Sequence, residues 1–256
     1  MKIHNVKYIH DELTHNFNAA EEIVPYIVEL FQPKSVVDIG CGIGTWLNIF
    51  KKYGIQSIIG IDGSFVDKRL LKIPKNSFIE KDLEQSFVLE DKFELAISLE
   101  VAEHISFEKA DVFMESICNL ADVIVFSAAI PNQGGQNHIN EQPPLYWIQK
   151  FESRGYKMFD IIRPLFWDNE KVDWWYKQNM LVFSKKSVVN QRLDSLDSFY
   201  GAHLVHPIVL INRSFETFRN INEINRIESG EKALRFYFEV FKKSIFNRIF
   251  KTRHPL

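Results

Sequence analysis

Apolar side chains early in the chain recur at Ile23, Ile27 and Leu30 or Phe31, near the helical period. They predict a helix over 19–31, with Pro33 just beyond it as a stop. The next apolar run, 35–39, is short, β-branched and bounded by glycine, which predicts a buried strand. A helix follows over 45–53, ended by Gly54. The alternation continues with strands over 57–61, 78–80, 93–99 and 123–128, and helices over 106–120 and 143–154, the last ended by Gly155. Strands alternating with helices imply parallel βαβ units, and strands apolar throughout imply a sheet covered on both faces. The expected fold is therefore α/β, with a doubly wound, mostly parallel sheet. After Gly155 the period changes. Residues 156–162 and 179–184 read as two strands with no helix of ordinary length between them, hence an antiparallel hairpin closing the sheet edge.

Beyond residue 186 the chain is polar and linker-like. Over 233–251, Tyr237, Phe241, Ile245 and Ile249 then recur four apart among Lys242, Lys243, Arg248 and Lys251. This predicts a basic amphipathic helix in a C-terminal extension over 187–256, separate from a first domain over 1–186. Two readings of that helix stay open. It packs on the domain or on a second subunit of a homo-oligomer, or it attaches to an anionic membrane surface. Composition changes little here. The 256 residues are 46% hydrophobic and 25% charged, ordinary for a globular chain, and a net charge of −2 gives nucleic acid no whole-chain attraction. Cys41 and Cys118 lack metal-ligand spacing and read as free thiols. Residues 1–10 lack an apolar targeting core, and no run approaches the roughly 18 apolar residues of a membrane span. The chain reads as cytoplasmic, with membrane association left to the basic helix.

The chemistry begins at Val36-Val37-Asp38-Ile39-Gly40-Cys41-Gly42-Ile43-Gly44, a strand running into a tight turn and a helix. Such a junction aims main-chain N–H groups and the positive end of a helix beyond the strand, and glycines let a ligand approach the backbone. The dinucleotide fingerprint G-x-G-x-x-G is not met, because Thr45 holds the third position and Gly44 precedes it. Asp38, upstream of Gly40, suits a ligand carrying an ammonium and a sulfonium, and would be costly beside a pyrophosphate. On these residues the chain resembles the class I S-adenosylmethionine (SAM)-dependent methyltransferases. The resemblance covers about 19–186. It implies a Rossmann-like seven-stranded sheet with an antiparallel C-terminal hairpin, and SAM as cofactor bound at Asp38, Gly40, Gly42 and Gly44. It further implies that Asp62, with Gly63 beside it, meets the ribose hydroxyls. Asp82 of Lys81-Asp82-Leu83 would meet the adenine amine, and Leu83 and Leu99 would line the same pocket.

Ligands of open α/β sheets lie beyond the carboxyl ends of the strands, so the loops after the fourth and fifth strands should hold the acceptor. The first is Ser98-Leu99-Glu100-Val101-Ala102-Glu103-His104. It lacks the Asn/Asp-Pro-Pro-aromatic motif of methyltransferases acting on base or glutamine amines, and Pro143-Pro144 lies elsewhere. Glu100, Glu103 and His104 stand at i, i+3 and i+4, share one face if helical, and suit a divalent ion. This E-x-x-E-H pattern resembles the metal-using ubiquinone-pathway O-methyltransferases and the small-RNA 2′-O-methyltransferases. That resemblance implies a further histidine after the fifth strand, which His138 supplies. Three readings stay open. Glu100, Glu103, His104 and His138 hold Mg²⁺ or another divalent cation that lowers the acceptor hydroxyl's pKa. His104 or His138 acts as general base without metal. Or the segment is a solvated helix start, with its carboxylates favoured by the helix dipole.

The loop over 131–142 is rich in glycine and amide side chains, as recognition of a polyhydroxylated acceptor needs. Its run through Pro131-x-Gln133-Gly134-Gly135-x-x-His138-Ile139-Asn140-Glu141-Gln142, and Trp174-Trp175-Tyr176-x-Gln178-Asn179 in the expected final hairpin, resemble bacterial methyltransferases of glycan and surface-polysaccharide assembly. The resemblance implies an O-methyltransferase acting on a sugar or glycan hydroxyl. The alternatives are a small-molecule acceptor, RNA ribose, which the net charge helps little, and a SAM-binding subunit without catalysis.

Overall fold

A computed structural model of the chain describes residues 16–185, 187 and 204–250. Helix α1 (Asn18–Phe31) ends at Gln32 in the left-handed region, whose N–H donates to the Val28 carbonyl. Strand β1 (Ser35–Ile39) leads through the glycine turn into α2 (Thr45–Lys52), and β2 (Ser57–Asp62) and β3 (Phe78–Glu80) follow. Next come β4 (Leu95–Leu99), α3 (Ala110–Leu120), β5 (Val123–Ser127), α4 (Pro144–Glu152) and β6 (Tyr156–Phe159). Two short helices, α5 (Arg163–Phe166) and α6 (Trp174–Asn179), precede β7 (Leu181–Lys185).

The strands form one seven-stranded sheet in the order β3-β2-β1-β4-β5-β7-β6. All neighbours run parallel up to β5, and β7 is antiparallel to both β5 and β6. Successive strand side chains point to opposite faces, so each strand feeds two cores. Val36, Leu95, Ile97, Val125 and Val182 join the core that α1 and α2 cover. Val37, Ala96, Ile124, Phe126 and Phe183 join the core that α3 and α4 cover. Apolar residues on both faces of every central strand are what the uninterrupted hydrophobic runs demanded. The strand order reverses between β1 and β4, the switch point at which open α/β sheets hold their ligands.

The structure corrects three sequence expectations. β4 starts at Leu95, and Phe93 makes only an isolated bridge to Ala121. The helix expected from 106 opens as a 3₁₀ turn, Phe107–Lys109, before α3. The expected closing hairpin is an antiparallel β6–β7 pair joined through α5 and α6, so Trp174–Asn179 is helical rather than extended.

The chain divides into two compact units, Met1–His206 and Pro207–Leu256. The second contains two helices, α7 (Pro207–Glu228) and α8 (Leu234–Phe250). Helix α8 falls on the expected basic segment, whose Lys251 lies outside the described residues. Helix α7 had no counterpart in the sequence reading. Among the described residues, no helix is long and apolar enough to cross a membrane.

Candidate active site

Three glycines shape the turn between β1 and α2, with φ of 83° at Gly40, 53° at Gly42 and 83° at Gly44. Side chains other than glycine's rarely tolerate this region. A Cβ on Gly40 would come within 2.3 Å of a Val101 methyl, and one on Gly44 within 2.9 Å of Ile73. The missing side chain at Gly40 therefore lets the loop after β4 close directly on the turn across the switch point, and that at Gly44 lets the β2–β3 connection close on it. The turn is tied down from β2 as well. Gly40 and Cys41 donate to the Ile61 carbonyl at 2.8 and 3.2 Å. Asp62 accepts from the Gly42 N–H at 2.7 Å and from the Gly63 N–H at 2.6 Å.

Asp38 and Asp62 are both buried beside this turn. Burial outweighs the two N–H donors at Asp62 and pushes its carboxyl up to about 6. Burial, then the neighbouring Asp62, pushes Asp38 well above the usual carboxylate range. Two buried carboxyls with no cation among the groups that shift them make a site that a ligand bearing ammonium and sulfonium charges fits. Each Asp62 oxygen accepts one of these N–H groups and keeps a lone pair that can accept a further donor. Asp82 is exposed after β3, and its carboxylate accepts from the Glu84 N–H at 3.0 Å. Leu83 and Leu99 are buried.

The loops after β4 and β5 meet next to this turn's closing residue Val101. Glu100 sits in the left-handed region at φ 55°, its N–H held by the Ser127 carbonyl and hydroxyl, both at 3.0 Å. Only after it does a 3₁₀ turn, Ala102–His104, begin. Glu100 therefore does not share a helical face with Glu103 and His104, as the i, i+3, i+4 spacing had led us to expect. Its carboxylate is clamped by amides, accepting from Gln133 at 2.7 Å and from Asn179 at 3.1 and 3.3 Å. Asn179 also donates to Gln133 at 2.8 Å, which closes the triangle. Burial raises the Glu100 carboxyl to about 6 even so.

Glu103 is 1% exposed, and its carboxylate makes no well-aligned hydrogen bond, with only the weaker pull of its own and the Ala129 backbone N–H groups and the Glu100 carboxyl beside it. Burial, and then the charge of Glu100, hold its carboxyl well above its ordinary value. The ligating atoms of Glu103, His104 and His138 all lie within 4.8 Å of one another. His138 Nε2 stands 3.9 Å from Glu103 Oε1. His138 Nδ1 is 2.9 Å from Glu141 Oε1, so the ring is oriented from behind. Glu141 is itself fixed by the N–H groups of Asn132 and Gly134 at 2.7 and 2.6 Å. The His104 and His138 rings meet edge to face with centroids 5.0 Å apart. Burial, followed by His138, pushes His104 down to about 4, so its imidazole is neutral near pH 7. The Glu103 carbonyl accepts from the Ile139 and Asn140 N–H groups at 2.9 and 3.0 Å, which seams the two loops together.

Of the residues proposed from the sequence, the structure gathers Asp38, Gly40, Gly42, Gly44, Asp62 and Gly63 at one turn. It gathers Glu103, His104 and His138 at a second point, with Glu100 beside Glu103. Sequence reasoning missed the specific parts of Glu141, Gln133 and Asn179. Glu141 carried a signal in its i, i+3 spacing from His138. Asn179 carried none, because its partner Glu100 lies 79 positions away.

A family model described as a methyltransferase domain matches residues 12–160, more than half of the chain. No curated protein matches. Among solved structures, DesVI of Streptomyces venezuelae is 12% identical with a TM-score of 0.50, covering 70% of this chain and 100% of its own. The methyltransferase domain of a bacterial CtHen1 is 18% identical with a TM-score of 0.49, covering 66% of this chain and 100% of its own. Magnesium protoporphyrin IX methyltransferase from Synechocystis PCC 6803, determined with bound S-adenosylhomocysteine, is 14% identical with a TM-score of 0.47, covering 70% and 89%. With its glycine turn, paired buried aspartates and sheet order, the chain belongs to the methyltransferase domain family and is a SAM-dependent methyltransferase.

Proposed function

We propose that this enzyme methylates a hydroxyl of a sugar or glycan intermediate, with a divalent cation held by Glu103, His104 and His138. The observation that carries the reading is Glu103. A carboxylate that is almost fully buried, makes no well-aligned hydrogen bond and stands beside a second carboxyl and two imidazoles is costly unless a cation or proton joins it. Three protein ligands leave positions open for an acceptor, the arrangement of a catalytic rather than a structural site. A cation bound there would supply Lewis acidity, lowering the acceptor hydroxyl's pKa and orienting it. SAM, when bound at the Asp38–Asp62 turn, supplies the electrophilic methyl.

The chain's own residues prepare both groups. Glu141 fixes the His138 ring, and Gln133 with Asn179 fixes Glu100. His104 Nδ1 lies 3.3 Å from the Asn137 carbonyl, so in the proposed site Nε2 is the ring nitrogen that would meet the cation. That nitrogen suits a cation, or takes the hydroxyl proton directly as general base. The depressed His104 pKa keeps the ring neutral for either role but weakens it as a base, so the metal-free reading stands as the second. The amide-rich loop over 131–142 supports a polyhydroxylated acceptor through its many donors and acceptors.

The test is methyl transfer from isotope-labelled SAM to a panel of nucleotide-activated sugars and isolated surface glycans, with Mg²⁺ or EDTA. The expected product is an alkali-stable methyl ether on a sugar, formed with Mg²⁺ and lost with EDTA. Label in an alkali-labile ester, or on nitrogen, would overturn the hydroxyl assignment. Unchanged rates in EDTA would leave the general-base reading in place of the metal.

A further inference from the structure

The second unit presents an exposed apolar surface. Along α8, Leu234, Phe238, Phe241 and Ile245 recur at alternating spacings of four and three, which at about 100° per residue places them in one stripe. All four are exposed, Leu234 at 87% and Phe241 at 61%. Helical geometry puts Arg235 and Lys242 on one flank of the stripe and Arg248 on the other. Lys242 Nζ lies 4.5 Å from the Phe238 ring centroid, so its stem already runs along the apolar stripe. The helix carries four cations, Arg235, Lys242, Lys243 and Arg248, against Glu239 alone. A soluble surface seldom shows so many large apolar side chains side by side, and such a patch marks a binding face.

We infer that α8 lies in the surface of an anionic lipid bilayer, with the Leu234–Ile245 stripe in the acyl boundary and the basic side chains at the headgroups. Charge selects this occupant. A second copy would set four cations of one α8 near four of another, a repulsion that apolar contact would have to overcome. Anionic headgroups neutralise the same cations, and phenylalanines with basic neighbours fit the interface. The helix lies on the bilayer rather than through it, since its charges exclude a span. A membrane-bound enzyme would be concentrated where lipid-linked acceptors reside, which joins this surface to the proposed chemistry without depending on it.

The test is flotation of the full chain with vesicles of phosphatidylcholine alone or with one-third phosphatidylglycerol. The expected result is flotation with the anionic vesicles only, and release in 0.5 M NaCl. Lys242→Gln with Lys243→Gln should weaken anionic-vesicle binding by roughly thirty-fold, from about five- to six-fold per cation. Phe238→Ser with Phe241→Ser should abolish it. SAM affinity should be unchanged in both variants, which separates a lost surface from a lost fold. Equal binding to both vesicle types, or no binding by a chain that runs as a dimer split by Phe238→Ser with Phe241→Ser, would overturn the proposal.

Discussion

In the proposed site, Asp62 links proton binding to cofactor binding. Its folded carboxyl is raised to about 6 from 3.8. Between those values the folded chain holds a proton that the unfolded chain has released. Its contribution to apo-protein stability is therefore present at low pH and is lost as pH rises through about 6. In the proposed site the ionised form is the one that attracts SAM. SAM affinity should weaken about tenfold from pH 7 to pH 5, following the ionised fraction of a group with that pKa. Titration calorimetry across this range checks it, and a flat profile would remove Asp62 from the cofactor site. Glu103 behaves with the same sign. Glu103→Gln should gain apo-protein stability over the parent as pH rises, by roughly 1–3 kcal/mol at the alkaline end, while losing methyl transfer. Denaturant unfolding at pH 5 and pH 8 measures the gap. At this scale the sequence was informative wherever chemistry is local. Asp38, the three glycines and Asp62 were legible because a strand end and a turn fix them within a few positions. His138 was legible only through resemblance, and the Gln133–Asn179 clamp was not, since its partners meet only in the folded sheet.

The elements were legible from period and punctuation, and they failed where a short turn replaced a helix. The spacing of Glu100, Glu103 and His104 is helical, but the backbone at Glu100 turns left-handed and delays the turn to Ala102. Periodicity cannot register a single residue of reversed φ. Hydrophobic pattern likewise missed α5 and α6, too short to show a period. They are held instead by Arg163, 1% exposed, whose guanidinium meets Asp160 at 2.8 and 2.6 Å and the Gln178 carbonyl at 3.2 Å. The pair fastens the end of β6 to α6, and α6 carries Asn179 to Glu100. Arg163→Ala would leave Asp160 buried without its partner and should cost about 3–5 kcal/mol of stability, read by chemical denaturation. An effect below about 1 kcal/mol would show that the pair is dispensable. At the cofactor turn, Gly40→Ala imposes a left-handed alanine and a clash with Val101. A loss of about 2–3 kcal/mol is expected, partly recovered by adding Val101→Ala. No recovery would place the whole cost in backbone strain.

At the scale of the molecule, the two loops that carry the candidate chemistry leave adjacent parallel strands, β4 and β5, beside the switch point where the glycine turn lies. A doubly wound sheet brings methyl donor and acceptor loops together by topology alone, which is why the sheet class was readable from alternating strands and helices while the acceptor was not. In the proposed enzyme this edge holds SAM at Asp38 and Asp62 and a cation at Glu103, His104 and His138. The measurement is an anomalous difference map from crystals grown with S-adenosylhomocysteine and Mn²⁺. It should show the nucleoside against the glycine turn and one manganese peak within a ligand distance of roughly 2.0–2.4 Å of all three side chains. Cofactor density away from Asp62, or manganese bound elsewhere with Glu103 still unliganded, would contradict it.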